Sequence, residues 1–186
     1  MSSGAKKKPV KMLSPEEISE ALTELAKLAK LEGVRVALIG GIALQRYGSD
    51  RFTADVDLVA EAPLRGLRTV RKLSFGGVAQ VTSKRVPVDM VVREDDFRSV
   101  YEEALDKAAK PRDLAVALVA PEYLVAMKMV AGRDKDMLDL SALLVSGHVD
   151  VKKARALVKR HLGAYAAKEF DGYLEEARWR ANREGK

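Results

Sequence analysis

The segment from Leu38 to Val59, LIGGIALQRYGSDRFTADVDLV, holds the residues best suited to do chemistry. It joins an apolar stretch, Gly40-Gly41, a short helical stretch, a loop, and Thr53-Ala54-Asp55-Val56-Asp57 entering a second apolar stretch. Two glycines between a strand and a helix let backbone N–H groups come close to a phosphate. A helix that begins near Ile42 aims its positive end the same way. Asp55 and Asp57 stand two apart on a strand, so their side chains emerge on one face and offer hard oxygens to magnesium. Asp89 lies in a third apolar run, Val86 to Val92, where an unpartnered carboxylate is costly. A metal shared with Asp55 and Asp57 would satisfy it. Phosphate cradle and metal site together are the equipment of phosphoryl or nucleotidyl transfer, with two ions activating a hydroxyl and stabilising the leaving pyrophosphate. Each part alone has a plainer reading: a tight turn at Gly40-Gly41, a solvated strand entry at Asp55 and Asp57, an arginine partner for Asp89. Their order and spacing together favour the site.

The elements that must position these residues follow from the pattern around them. Ser14 followed by Pro15, Glu16 and Glu17 starts a helix, with Ile18, Leu22, Leu25 and Leu28 on one face and Gly33 ending it. Val34–Ile39 reads as a buried strand, Ile42–Tyr47 as a short helix and Val56–Val59 as a second strand. Pro63–Leu73 reads as helical. Val78–Val81 and Arg85–Val92 read as two strands joined by a turn at Thr82–Lys84. Asp95–Lys110 is an amphipathic helix, and Leu114–Val119 a last strand. After Pro121 everything reads as helix: Glu122–Ala131, Asp134–Ser146, a third helix capped by Asp150, and a long fourth from Ala164 to Asn182. The expected fold class is α/β (α+β), a mixed sheet flanked by helices, followed by a helical part. Residues 1–13 would form a disordered basic tail, 14–120 the α/β core, and 121–186 a helical part completing the cleft.

Composition narrows the classes. The chain of 186 residues is 47% hydrophobic and 32% charged, enough for one packed domain. With no cysteine and two histidines, it excludes thiol chemistry, cysteine-held metals and a histidine-rich metal site. The net charge of +6 suits a polyanionic partner. No apolar run approaches the length of a membrane span, and no apolar block follows the basic N-terminus, so the expected location is the cytoplasm with no membrane partner.

The glycine pair, the Asp55-x-Asp57 motif fourteen residues beyond Gly41, and the later strand aspartate resemble the DNA polymerase beta-like nucleotidyltransferase superfamily. Gly-Gly stands where many members carry Gly-Ser, so a serine hydroxyl that often touches phosphate is missing. Pro121-Glu122-Tyr123-Leu124-Val125-Ala126-Met127-Lys128, then Ala131-Gly132-Arg133-Asp134-Lys135-Asp136 and Asp139-Leu140, look like the AbiEii-like abortive-infection toxins, and also resemble small uncharacterised relatives with the same helix pair. The resemblance covers roughly residues 34–146. It implies a nucleotidyltransferase fold and a magnesium-dependent enzyme, using two ions, that moves a nucleoside monophosphate from an NTP to an acceptor hydroxyl. Gly40 and Gly41 would hold the triphosphate. Asp55 and Asp57 would bind the metals, and Asp89 would complete that site and act on the acceptor hydroxyl. Lys128 would neutralise triphosphate charge, and Arg133, Lys135 and Asp136 would line the nucleotide side. Arg51 and Thr53 would contact phosphate or brace their loop. The branch implies a type IV toxin–antitoxin toxin, an RNA acceptor such as a tRNA 3′ end, and a winged-helix antitoxin encoded nearby.

Two rivals remain on the sequence alone. A catalytically silent nucleotide- or nucleic-acid-binding module would keep the fold, although both Asp55 and Asp57 are present. A small-molecule nucleotidyltransferase would need an acidic pocket for a cationic acceptor, against which the basic C-terminal part speaks. Lys128 also fits a snorkelling helix lysine, and Asp134 reads as a helix cap. His148 and His161 read as surface or capping residues, and Trp179 as packing for the last helix with Phe170 and Tyr173. Lys152, Lys153, Arg155, Lys159 and Arg160 read as a solvated basic stripe, or as a track for RNA phosphates.

Overall fold

Ser14 accepts the N–H of Glu17, and the Glu17 carboxylate accepts that of Ser14, so a reciprocal cap opens the first helix, α1 (Pro15–Glu32). Gly33, left-handed at φ 66°, closes it. The computed structural model describes residues 11–184. The expected basic tail therefore lies outside the described residues except for 11–13. There Leu13 already donates its N–H to the Thr53 carbonyl, so the fixed chain begins before Ser14.

Along the chain follow β1 (Val36–Ile39), α2 (Gly40–Arg46), β2 (Val56–Ala60), β3 (Arg68–Lys72), β4 (Gly77–Val81), β5 (Pro87–Val91), α3 (Arg98–Asp106), β6 (Ala117–Leu118), α4 (Pro121–Ala131), α5 (Asp134–Val145) and α6 (Val151–Glu184). The six strands form one mixed sheet in the order β3-β4-β5-β2-β1-β6. Only the β1–β6 and β2–β5 pairs are parallel. This is the α+β mixed sheet that the pattern predicts, with nothing but helix and short connections after Pro121 among the described residues.

The register does most to position chemistry. Ile39 pairs with Asp57, Asp57 with Asp89, Asp89 with Ala79, and Ala79 with Arg71. Paired residues point to the same face, so these five side chains form one line across the sheet. The opposite face carries Leu58, Met90 and Val88, all fully buried. On that side Gln80 Nε2 ties down the Leu64 carbonyl, and α1 packs its Leu28 against Gly66.

One expected element is wrong. Pro63–Leu73 is not a helix: it is a turn at Leu64–Leu67 followed by the edge strand β3. Leu64 and Leu67 are buried at helical spacing, but they plug the core from a loop. All five residues of β3 are exposed, so the strand has no apolar alternation to betray it.

The C-terminal helices hold smaller corrections. Asp134 is the first residue of α5 rather than its cap; Arg133 occupies the cap position and makes no side-chain cap bond. Asp150 does cap α6, accepting the N–H of Lys153. Gly163, at φ 93°, breaks α6 where the third and fourth helices were expected to separate. Phe170 is fully buried as predicted, whereas Trp179 is 59% exposed and lies against Arg183. His148 is exposed, but the His161 side chain is only 8% exposed: it sits between Ser99 and Glu103 and ties α6 to α3. No described helix is long and apolar enough to cross a membrane.

Candidate active site

β2 and β5 run parallel in register and bring Asp57 beside Asp89, while the strand period puts Asp55 on the same face as Asp57. One carboxylate oxygen from each of Asp55, Asp57 and Asp89 lies within 4.8 Å of the others. The glycine pair closes the edge of this cluster. A Cβ on Gly40 would overlap the Asp57 carboxylate, and φ 63° there is a conformation other residues resist. A Cβ on Gly41 would lie 2.8 Å from Thr53 Oγ1. The Gly41 N–H favours the charged form of the Asp57 carboxyl, and Thr53 Oγ1 bonds Asp55 Oδ1 at 3.0 Å. The glycines and Thr53 thus fix the carboxylates.

Electrostatics set the character of the cluster. Burial first, then the charges of Asp55 and Asp89, push the Asp57 carboxyl up to about 7. Lys128 and the Gly41 N–H oppose this shift. Burial and Asp55 likewise raise Asp89, against Arg71, Lys135 and Arg133. Three crowded carboxylates with no ion-pair partner among the described residues form a donor set of hard oxygens, which fits a divalent ion such as magnesium.

A pH dependence follows for the metal-free protein. Asp57 titrates near 7 when folded and near 3.8 when unfolded, so between those values the unfolded chain has released a proton that the native chain keeps. Stability should fall as pH rises through this window and level off above it, by at most about 4 kcal/mol. Thermal melts at pH 5 and pH 8 test this. Magnesium should raise the melting temperature more at pH 8, and a pH-independent effect would contradict the assigned cluster.

The other expected site residues divide. Arg51, Lys128, Arg133 and Asp136 are joined in one chain of charges through Asp139. Lys128 Nζ donates to Asp136 Oδ1 at 2.8 Å and Asp139 Oδ2 at 2.6 Å. Arg133 pairs with Asp136, and Arg51 with Asp139. Lys128 is therefore no snorkelling lysine: its side chain is 11% exposed and its charge is held inside. Burial would raise Asp136, but the bonds from Arg133 and Lys128 prevail and hold it below its ordinary value. Arg51 braces the loop before Asp55, its carbonyl also accepting from Gln45 Nε2 at 2.6 Å. Lys135 is exposed and makes no ion pair among the described residues. Sequence reasoning missed Asp139 as a site-bracing residue and Arg71 altogether. Asp139 stood in the quoted motif and gave a signal; Arg71 gave none, lying in a stretch that reads as helix.

Among solved structures, the fold is similar to an antigenic nucleotidyltransferase-like protein from Paracoccidioides brasiliensis. That match has a TM-score of 0.52 and 16% identity, covering 89% of this chain and 95% of that one. It is also similar to the antibiotic-resistance factor ANT(2'')-Ia, with a TM-score of 0.51 and 15% identity, covering 86% of this chain and 99% of that one. At such identities the likeness shows the fold alone. No curated protein matches in sequence. A family model, however, spans residues 16–181, from the first turn of α1 into the last turns of α6. That match takes in the glycine turn, all three aspartates and the bracing helices, and by it the chain belongs to the enzymes described as nucleotidyltransferases of unknown function (DUF6036).

Proposed function

We propose that the protein transfers a nucleoside monophosphate from an NTP to the hydroxyl of an RNA acceptor, such as a tRNA 3′ end, with magnesium held by Asp55, Asp57 and Asp89. The observation that carries this reading is the three-carboxylate cluster on β2 and β5 with the glycine turn at its edge. The acceptor oxygen forms a bond to the α-phosphorus, the bond from that phosphorus to the bridging oxygen breaks, and pyrophosphate leaves. Asp89, raised by burial and by Asp55, receives the proton of the acceptor hydroxyl. When bound, the metal supplies positive charge to the attacking hydroxyl and the departing pyrophosphate. Gly40 and Gly41 let the turn close tightly on Asp57 and Thr53, and the triphosphate would lie against that turn. Exposed Arg133 and Lys135 meet its oxygens, and Lys128 adds charge from below through its Asp136 and Asp139 partners. Arg51 and Thr53 keep the loop in place.

The motif after Pro121 extends the reading to a cytoplasmic toxin of a type IV toxin–antitoxin pair, neutralised by a winged-helix antitoxin encoded beside it. A cationic small-molecule acceptor fits less well, because Arg71, Lys135 and Arg133 all act on Asp89. The test is transfer of label from each α-labelled NTP, with magnesium, to total cellular RNA. Label on a discrete RNA band, absent with Asp57→Ala, supports the reading and names the nucleotide. No label from any NTP rejects the RNA acceptor.

A further inference from the structure

The edge strand β3 contributes nothing to the core: Arg68, Thr69, Val70, Arg71 and Lys72 are all exposed. Several arginines elsewhere are held in ion pairs, for example Arg35, Arg46, Arg155 and Arg160. Arg68, Arg71 and Lys72 have no such partner among the described residues. These charges are presented to solvent without being used by the fold.

Their direction is set by one extra residue. Thr69 pairs with Gln80, but Arg71 pairs with Ala79, so Val70 is bulged out of the ladder. Without the bulge, Thr69 and Arg71 would share a face. Thr69 lies on the α1 side, where Gln80 Nε2 reaches its Oγ1 at 3.2 Å. The bulge carries Arg71 to the other side, into the line with Ala79, Asp89 and Asp57. Arg68, opposite Val81, falls on that same side. Two strand spacings separate the Arg71 and Asp89 backbones, about 10 Å. An extended arginine is long enough to reach from β3 toward Asp89, whose carboxyl feels the Arg71 charge.

We infer that β3 forms the acceptor side of the cleft, where Arg71, turned onto the carboxylate face by the Val70 bulge, binds a phosphodiester of a nucleic-acid acceptor and Arg68 continues the track. Asp89 is the carboxylate nearest to β3, and the charges of Arg71, Lys135 and Arg133 all reach it. The inference rests on the transfer reading above, but its test does not need turnover. Edge strands also carry charge merely to deter pairing with other chains. A bulge can serve such a guard too, but a guard does not require Arg71 to fall in line with Ala79 and Asp89.

The experiment measures binding of labelled cellular tRNA to the full chain over a range of salt concentrations, beside ATP affinity and acceptor KM. Arg71→Ala should weaken tRNA binding about tenfold. It should also lower the salt slope by about one, raise KM for tRNA, and leave ATP affinity in place. Arg71→Lys should recover most of the loss, and Arg68→Ala combined with Arg71→Ala should deepen it. Unchanged tRNA affinity in Arg71→Ala overturns the inference, as does a loss confined to ATP affinity or one seen only in Lys152→Ala and Lys159→Ala. Greater self-association of Arg71→Ala with unchanged tRNA binding would reduce β3 to an edge guard. A wild-type chain that binds tRNA through Arg71 yet transfers no label would overturn the transfer reading and the acceptor role, and leave β3 as a nucleic-acid-binding strand.

Discussion

Asp57→Asn should abolish nucleotidyl transfer, by at least about a thousandfold, which corresponds to about 4 kcal/mol of transition-state stabilisation. The side chain keeps its size, so Gly40 and the Gly41 N–H lose no packing around it. What disappears is the central charge of the cluster. The same substitution should raise the melting temperature of the metal-free protein by roughly 3–8 °C, because it removes a carboxylate crowded by Asp55 and Asp89. It should also erase the extra stability that magnesium gives. Label transfer and paired melts with and without magnesium check both halves. An Asp57→Asn chain that is destabilised, or that still responds fully to magnesium, would show that Asp57 is a structural residue. Loss of function with gain of stability is the signature expected of a residue kept for chemistry.

Lys128→Met should have the opposite character. The Asp136 side chain is fully buried and that of Asp139 is 5% exposed. Removing the ammonium between them leaves two buried carboxylates supported only by Arg133 and Arg51. Breaking a buried pair in this way costs about 3–5 kcal/mol. Urea unfolding should show a large fall in midpoint with little change in slope. The loop that Arg51 ties to Asp139 should loosen as well, so residual activity should decline through the loop as well as through the nucleotide. An unchanged midpoint together with a large rise in NTP KM would return Lys128 to direct triphosphate binding.

The carboxylate cluster was legible because its spacing encodes a face: Asp55 and Asp57 share one by strand period alone, and Asp89 stood out as a charge in an apolar run. What sequence could not supply was the register, since nothing in the order of residues says that β2 pairs in parallel with β5 rather than with a nearer strand. The same limit hid the partners of Lys128. Lys128 and Asp136 are visible as types, but whether a buried lysine faces a phosphate or a carboxylate depends on how α4 and α5 cross. Strand β3 failed for another reason. Period-based reading detects burial on one side, and an edge strand exposed on both leaves no such trace. Leu64 and Leu67 then supplied a false helical signal from a turn. His161 shows a similar blindness: its anchoring to Glu103 spans 58 residues, and a lone histidine among basic residues gives no hint of it.

The tie between Arg51 and Asp139 spans 88 positions of the chain. Synthesis from the N-terminus delivers every aspartate of the cluster, and the glycine turn before them, well ahead of the residue that secures their loop. A nascent chain halted anywhere before Asp139 carries the chemistry without its clasp. Closing so wide a loop is entropically costly, and the gain arrives only once α4 and α5 have packed. The carboxylate cluster is therefore braced late in the making of the molecule, and a chain that stops before Asp139 holds it on an unsecured loop.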